Sequence, residues 1–136
     1  MSRTKIRNRI IQGIALGVLI TQSCDYKPRN QGRSLYEKHC QSCHMEEGQG
    51  LGSLIPPVAN ADYVVANREE LACIIRNGIG GELEVNGIRY EGEMEGYSRL
   101  TEIEISNLVH YLLVDMNHQE RAYEISEIRA QLEACQ

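Results

Sequence analysis

The sequence predicts a single all-α domain that carries one small β-hairpin and ends in a further C-terminal helix. Three observations predict it. Apolar residues recur at helical spacing, most clearly Ile105, Leu108, Val109, Leu112 and Leu113. Two stretches open on capping boxes, Ser34 with Glu37 and Thr101 with Glu104. Alternation of period two marks residues 83–90, around the Asn86-Gly87 pair, and no repeated strand–helix alternation appears. At 136 residues the chain has room for one small domain.

Taken in order, residues 1–9 are polar and basic, and Ile10 to Ile20 form an apolar run interrupted by Gln12, Gly13 and Gly17. A basic segment followed by a run too short to span a bilayer describes an export signal over residues 1–23. The sequence Ile20-Thr21-Gln22-Ser23-Cys24 resembles a bacterial lipoprotein processing site, with Cys24 as the lipidated first residue of the exported chain. Residues 24–32, polar and containing Pro28 and Gly32, read as a tether. The domain proper is expected over 33–136.

Within it, a helix is expected from about Leu35, capped by Ser34, and running into Cys40-Gln41-Ser42-Cys43-His44. Gly48, Gly50 and Gly52 predict an irregular loop able to lie close to a flat cofactor, extended by Pro56-Pro57. Asn67, with Glu69 and Glu70 after it, Leu71, Ile74 and Ile75 as an apolar face and Asn77-Gly78 as a stop, predicts a short helix. Cys73 falls about 160° around it from Ile75. The hairpin pairs Val85 with Ile88 and Leu83 with Tyr90 on one face, and Glu84 with Arg89 on the other. The Thr101–Glu104 box opens a helix through about Met116. A last helix from about Ser126 places Ile125, Ile128, Leu132 and Cys135 on one stripe.

The chemistry lies in Cys40, Cys43 and His44. Two thiols three positions apart, with an imidazole directly after the second, form the signature of covalent c-type haem attachment. Residues i and i+3 share a helical face. Both thiols can therefore form thioethers to one porphyrin, with His44 beneath the iron as proximal ligand. Zinc would want four ligands, and no second Cys-x-x-Cys or His-x-x-x-His follows. A thioredoxin-like dithiol would sit beside a βαβ pattern, and none is present.

Beyond this motif, the order of elements resembles the class I cytochromes c over about Gly32 to Met116. Gly32 lies eight residues and Tyr36 four residues before Cys40, where that family packs a glycine and an aromatic against its closing helix. Leu108 and Tyr111 match the facing pair. Met94 stands fourteen residues before Leu108, at the position of the family's distal iron ligand, followed by Glu95, Gly96 and Tyr97 in place of the usual proline. The resemblance implies a cytochrome c-like fold around one haem c, with His44 and Met94 as axial ligands. One of Pro56 and Pro57 would accept the proximal imidazole N–H. His110 and His118 are the alternative distal ligands, and His39 reads as a solvated helix residue. The hairpin and the last helix go beyond the family core.

Cys73 and Cys135 remain. A disulfide between them would clamp the extra helix onto the domain in an oxidising compartment; the alternative is two buried thiols that never meet.

A six-coordinate iron has no open position for substrate, and the sequence offers no catalytic acid–base set, so the expectation is an electron carrier and not an enzyme. Without Arg3, Lys5, Arg7 and Arg9, 10 basic residues face 19 acidic ones, a net charge of −9. That balance argues against nucleic acid and favours basic partner surfaces. By resemblance, the partners are a quinol-oxidising complex as donor and a terminal oxidase or nitrogen-oxide reductase as acceptor. The protein would work at the periplasmic side of a bacterial membrane, anchored through Cys24 and monomeric when outside a complex. The alternatives are a haem-bearing structural subunit of a larger respiratory complex, or a gas-binding sensor or minor peroxidase if Met94 does not bind iron.

Overall fold

Asn30 opens the first helix: its side-chain oxygen accepts from the Arg33 backbone N–H at 3.2 Å. In the computed structural model, which describes residues 30–135, helix α1 spans Gln31–His39. Ser34 therefore lies inside the helix rather than capping it. Glu37 pairs with Arg33, one turn back on the same face, at 3.0 Å. Asparagine caps as well as serine, and the earlier cap adds a turn that carries Gly32 against a neighbouring helix. The predicted export signal and Cys24 lie outside the described residues.

The single turn α2, Gln41–His44, follows. After a long loop come α3 (Asp62–Ala66), α4 (Leu71–Asn77), the antiparallel strands β1 (Gly78–Val85) and β2 (Ile88–Glu95), α5 (Glu102–His110) and α6 (Ile125–Ala134). Helix α3 has no counterpart among the predicted elements. The helix predicted from Asn67 starts only at Leu71, with Glu70 at its cap. Asn67 instead closes α3, its amide donating to the Tyr63 carbonyl at 2.9 Å. The predicted stop holds, since α4 ends at Asn77.

The hairpin register is the predicted one at Leu83↔Tyr90, Glu84↔Arg89 and Val85↔Ile88. Asn86 and Gly87 have φ of 51° and 76°, the two left-handed residues that a tight hairpin turn of matching twist requires. The strands run eight residues each, longer than the predicted 83–90, so Met94 sits on a strand opposite Ile79 and not in a loop. The Arg89 guanidinium reaches diagonally to Glu82 at 3.1 Å rather than to Glu84. There it offsets the like-charge pair Glu82↔Glu91. Ile88 is 49% exposed although its partner Val85 is buried. Strand β1 packs on α3 and α4 and leaves β2 outermost.

The core forms where α1 crosses α5. A Cβ on Gly32 would overlap the Asn107 carbonyl oxygen and lie 2.6 Å from Tyr111 Cβ, so only glycine permits this approach. Beside it, the Tyr36 and Tyr111 rings meet at 5.6 Å. Helix α5 carries both halves of its predicted capping box: the Thr101 N–H donates to Glu104 at 2.8 Å, and the Glu104 N–H to the Thr101 hydroxyl at 3.3 Å. The Thr101 N–H, and with it the Thr101 hydroxyl donating at 2.9 Å, hold the Glu104 carboxyl below its usual range. Ile105, Leu108, Val109, Leu112 and Leu113 are all buried, as the periodicity predicts. The regular helix ends at His110, however, and continues as a π-helical segment, Tyr111–Met116. The buried Asn117 secures its end: its amide donates to the Val58 and Leu112 carbonyls at 2.7 and 2.8 Å, and its oxygen accepts from the Ala61 N–H at 2.7 Å.

Helix α6 starts from Glu124, whose capping partner is Glu127. Ile128 is fully buried and Leu132 packs on the core, but Ile125, on the same predicted stripe at the first position of the helix, is 39% exposed. Just past the helix, Cys135 is joined to Cys73, with Cα atoms 5.5 Å apart. Among the described residues no helix is long and apolar enough to cross a membrane.

Candidate cofactor site

Cys40 closes α1 and opens α2. The Cys43 and His44 N–H groups both donate to the Cys40 carbonyl, at 3.1 and 2.9 Å. The motif is therefore one tight turn, and both thiols are free. Two bonds hold this turn from outside: the Gly50 N–H donates to the His44 carbonyl at 3.0 Å, and the Tyr36 hydroxyl to the Met45 carbonyl at 2.7 Å.

His44 is buried, with its Nδ1 3.0 Å from the Pro56 carbonyl oxygen, which settles the choice between the two prolines. The Pro56 position is itself fixed, because the Val58 and Ala59 N–H groups donate to the Gly48 carbonyl at 2.8 and 3.0 Å. An imidazole whose Nδ1–H is donated to a carbonyl presents the Nε2 lone pair to a metal. Burial lowers the His44 pKa, against a smaller opposing pull from Pro56, and so favours the neutral form that ligation needs. Burial, aided by Cys43, pushes the Cys40 thiol up to about 11.

Beside this turn lies an apolar cavity of about 90 Å³, and next to it a more polar mouth of about 340 Å³. The two share Cys40, His44, Pro56, Ile79, Leu83 and Met94. Leu71, Ile74 and Ile75 of α4 and Leu108 and Leu112 of the closing helix complete the inner wall. The hairpin forms the remaining side. Its inward face presents Ile79, Leu83, Val85, Tyr90 and Met94; the glutamates take the alternate register, Glu82 and Glu84 away from both spaces and Glu91, Glu93 and Glu95 along the edge of the mouth. A stretch that looks like an insertion in sequence is thus a wall of the site.

The residues fit a covalent haem. Of two thiols on one turn, Cys40 lines the apolar slot and Cys43 the mouth beside it, an oriented imidazole lines the slot, and a thioether lines it from a separate element. Among the described residues no three His, Cys, Asp or Glu side chains are grouped to hold a bare metal ion, so the zinc alternative has no geometry behind it. His110 and His118 are exposed and line neither space. His39 is half-buried at the mouth rather than fully solvated, with its ring edge-on to Tyr97 at 5.2 Å. Met45 and Met116 line neither space.

Several contributors escaped sequence reasoning. Asn117 carries no motif, and its three bonds depend on chain segments far apart in sequence. Asn86 is visible as a turn residue, but its side chain also accepts from the Asp62 N–H at 3.0 Å and donates to the Asn60 carbonyl at 3.0 Å. These bonds tie the hairpin tip to the start of α3.

The model of the Cytochrome c family matches residues 30–114, well over half of the chain. One Cytochrome c-552 from Thermus thermophilus is 28% identical over 116 residues, covering 82% of this chain and 70% of that protein. Another Cytochrome c-552 from the same species is 31% identical over 85 residues, covering 60% of this chain and 64% of that protein.

Proposed function

The chain belongs to the cytochrome c family, as a class I protein with one covalent haem c, and on that footing we propose that it shuttles single electrons between respiratory partners through a His44/Met94-ligated haem. When bound, the haem supplies one iron that takes up and releases an electron. Carrying electrons is the family's role; the ligands, the anchor and the partners are this reading's own.

The observation that carries it is the shared lining. His44 and Met94, from different elements, border the same apolar space beside two free thiols. Cys40 and Cys43 hold the porphyrin by thioethers, so the cofactor stays with the chain through every turnover. His44, oriented by Pro56, and Met94, from a separate element, would hold the iron. With His44 and Met94 both on the iron, substrate would have no point of entry, and the methionine would raise the potential. The apolar wall from α4 and the closing helix excludes water and so limits the solvent reorganisation that accompanies each change of charge.

The exchange point is the mouth. Cys43 is exposed there, and Leu54, 73% exposed, stands at its rim. Small apolar rims of this kind suit brief, weak docking. Glu91, Glu93 and Glu95 also border it, which favours a partner with a basic docking face. Export through residues 1–23 and lipid attachment at Cys24 would hold the domain at the periplasmic side of a bacterial membrane. The tether from Asp25 to α1 would raise its local concentration near a quinol-oxidising donor and a terminal oxidase or nitrogen-oxide reductase. The Cys73–Cys135 bond suits that oxidising compartment.

Potentiometric titration is expected to give a single one-electron wave. Reduced protein mixed with respiratory membranes is expected to be reoxidised rapidly, with a rate that falls about tenfold as salt is raised from low to physiological ionic strength. Direct reoxidation by dissolved oxygen as fast as by membranes would contradict a carrier.

A further inference from the structure

Tyr97 ties together three parts of the site that are distant in sequence. Its hydroxyl donates to the carbonyl of His39, the residue before Cys40. Its backbone N–H donates to the Ile75 carbonyl at 2.8 Å, on the helix that walls the cavity. Its ring lies edge-on to the His39 ring at 5.2 Å. It also lines the mouth with Cys40 and Cys43 and follows Met94 by three residues, just beyond the end of β2.

Strand β2 otherwise has little to hold it. It is the outer strand, joined to the body chiefly through β1, and both strands carry glycine near the Met94 end, at 78, 80, 81 and 92. Glycine in strand interiors weakens them. At its far end the hairpin is pinned by Asn86. At the Met94 end Gly96 intervenes, and the next fixed point along the chain is Tyr97.

We propose that Tyr97 is a positioning residue that holds Met94 in its binding position by clasping the chain just past β2 to the end of α1, next to the Cys40–His44 turn. The proposal rests on the reading of Met94 as distal ligand. The clasp joins the segment just after Met94 to the helix end that leads into the His44 turn, so it adds to the Tyr97–Ile75 backbone bond in limiting how far Met94 can move from His44. When it opens, Met94 can swing away with the strand while the thioethers and His44 remain in place. A single partly buried hydrogen bond of this kind shifts the open-to-closed ratio about fivefold. A competing ligand that binds only the open form then gains the same factor in apparent affinity.

The test uses the oxidised holoprotein and imidazole as the probe, titrated at a pH where imidazole is neutral, while the weak red sulfur-to-iron band is followed. Tyr97→Phe keeps the ring and removes the donor. It is expected to bind imidazole about fivefold more tightly than the wild type and to lose the band in parallel. Tyr123→Phe is the control, since it removes the acceptor of the Arg68 bond at 3.1 Å outside the site and tests for mere loss of stability. It is expected to leave the imidazole affinity unchanged.

Equal affinity for wild type and Tyr97→Phe, with the red band intact in both, would overturn the clasp and leave Met94 as ligand. An equal gain in Tyr123→Phe would overturn it too, because general loosening would then explain the effect. A wild-type protein with no red band, and with the same imidazole affinity as Met94→Ala, would instead remove Met94 as ligand, and the clasp with it.

Discussion

Replacing Met94 by alanine is expected to convert a closed electron carrier into an open, ligand-binding haem protein. Met94 lines the inner cavity and the mouth alike, and His110 and His118 line neither space, so neither is placed to replace it. The reduced variant is expected to bind carbon monoxide, and the oxidised variant to lose the red sulfur-to-iron band. Its potential is expected to fall on the order of 0.1 V, a fraction of the roughly 0.8 V over which axial ligands tune haem proteins. Because Met94 stands on a two-stranded sheet, the fold should survive, and far-ultraviolet circular dichroism should remain that of the wild type. A variant that keeps the band and ignores carbon monoxide would show that the sulfur comes from elsewhere.

The second large effect is on stability. Cys73 on α4 is joined to Cys135 beyond α6, across 62 residues. On the chain-entropy model, a loop of that length contributes about 4 kcal/mol. The consequence reaches the site, because α4 also carries Ile74 and Ile75 of the cavity wall. Helix α6 otherwise adds the buried Ile128 and the ion pair of Arg129 with Glu102 at 3.0 Å, an exposed pair of small worth. The Cys73→Ser/Cys135→Ser variant is therefore expected to unfold in urea with about 4 kcal/mol less stability. Peptide mapping of the untreated wild type is expected to recover the two cysteine peptides as one linked species. Recovering them as separate thiols would remove the clamp.

What was legible in the sequence was local. The register of Leu83 with Tyr90 follows from an Asn-Gly turn and a period of two, and the Thr101–Glu104 box follows from four consecutive residues. The contact of Gly32 and Tyr36 with Leu108 and Tyr111 is long-range, but a family resemblance marked it. What was not legible depends on partners supplied by the fold. Ser34 and Asn30 are both good caps by chemistry, and it is contacts with the closing helix, of Gly32 and Gln31 with Asn107 and of Asn30 with Asp115, that favour the longer helix. The strands extend past 83–90 because ladder hydrogen bonds sustain Gly78, Gly80, Gly81 and Gly92, which propensity alone would exclude. That extension moves Met94 from the expected loop onto a strand. Ile88 and Ile125 obey their periodicities but lie on an outer strand and at a helix start, where no second layer covers them. The bonds of Asn117 and of Tyr97 to His39 have no sequence signature at all.

Whether His44 and Met94 together close the haem is decided by the visible spectrum of the purified wild-type protein, oxidised, reduced, and reduced under carbon monoxide. Ligation by both residues predicts a low-spin c-type spectrum with the weak red sulfur-to-iron band when oxidised, and no change when carbon monoxide is added to the reduced form. A high-spin spectrum, or one that carbon monoxide shifts strongly, would contradict His44/Met94 ligation and the closed carrier built on it.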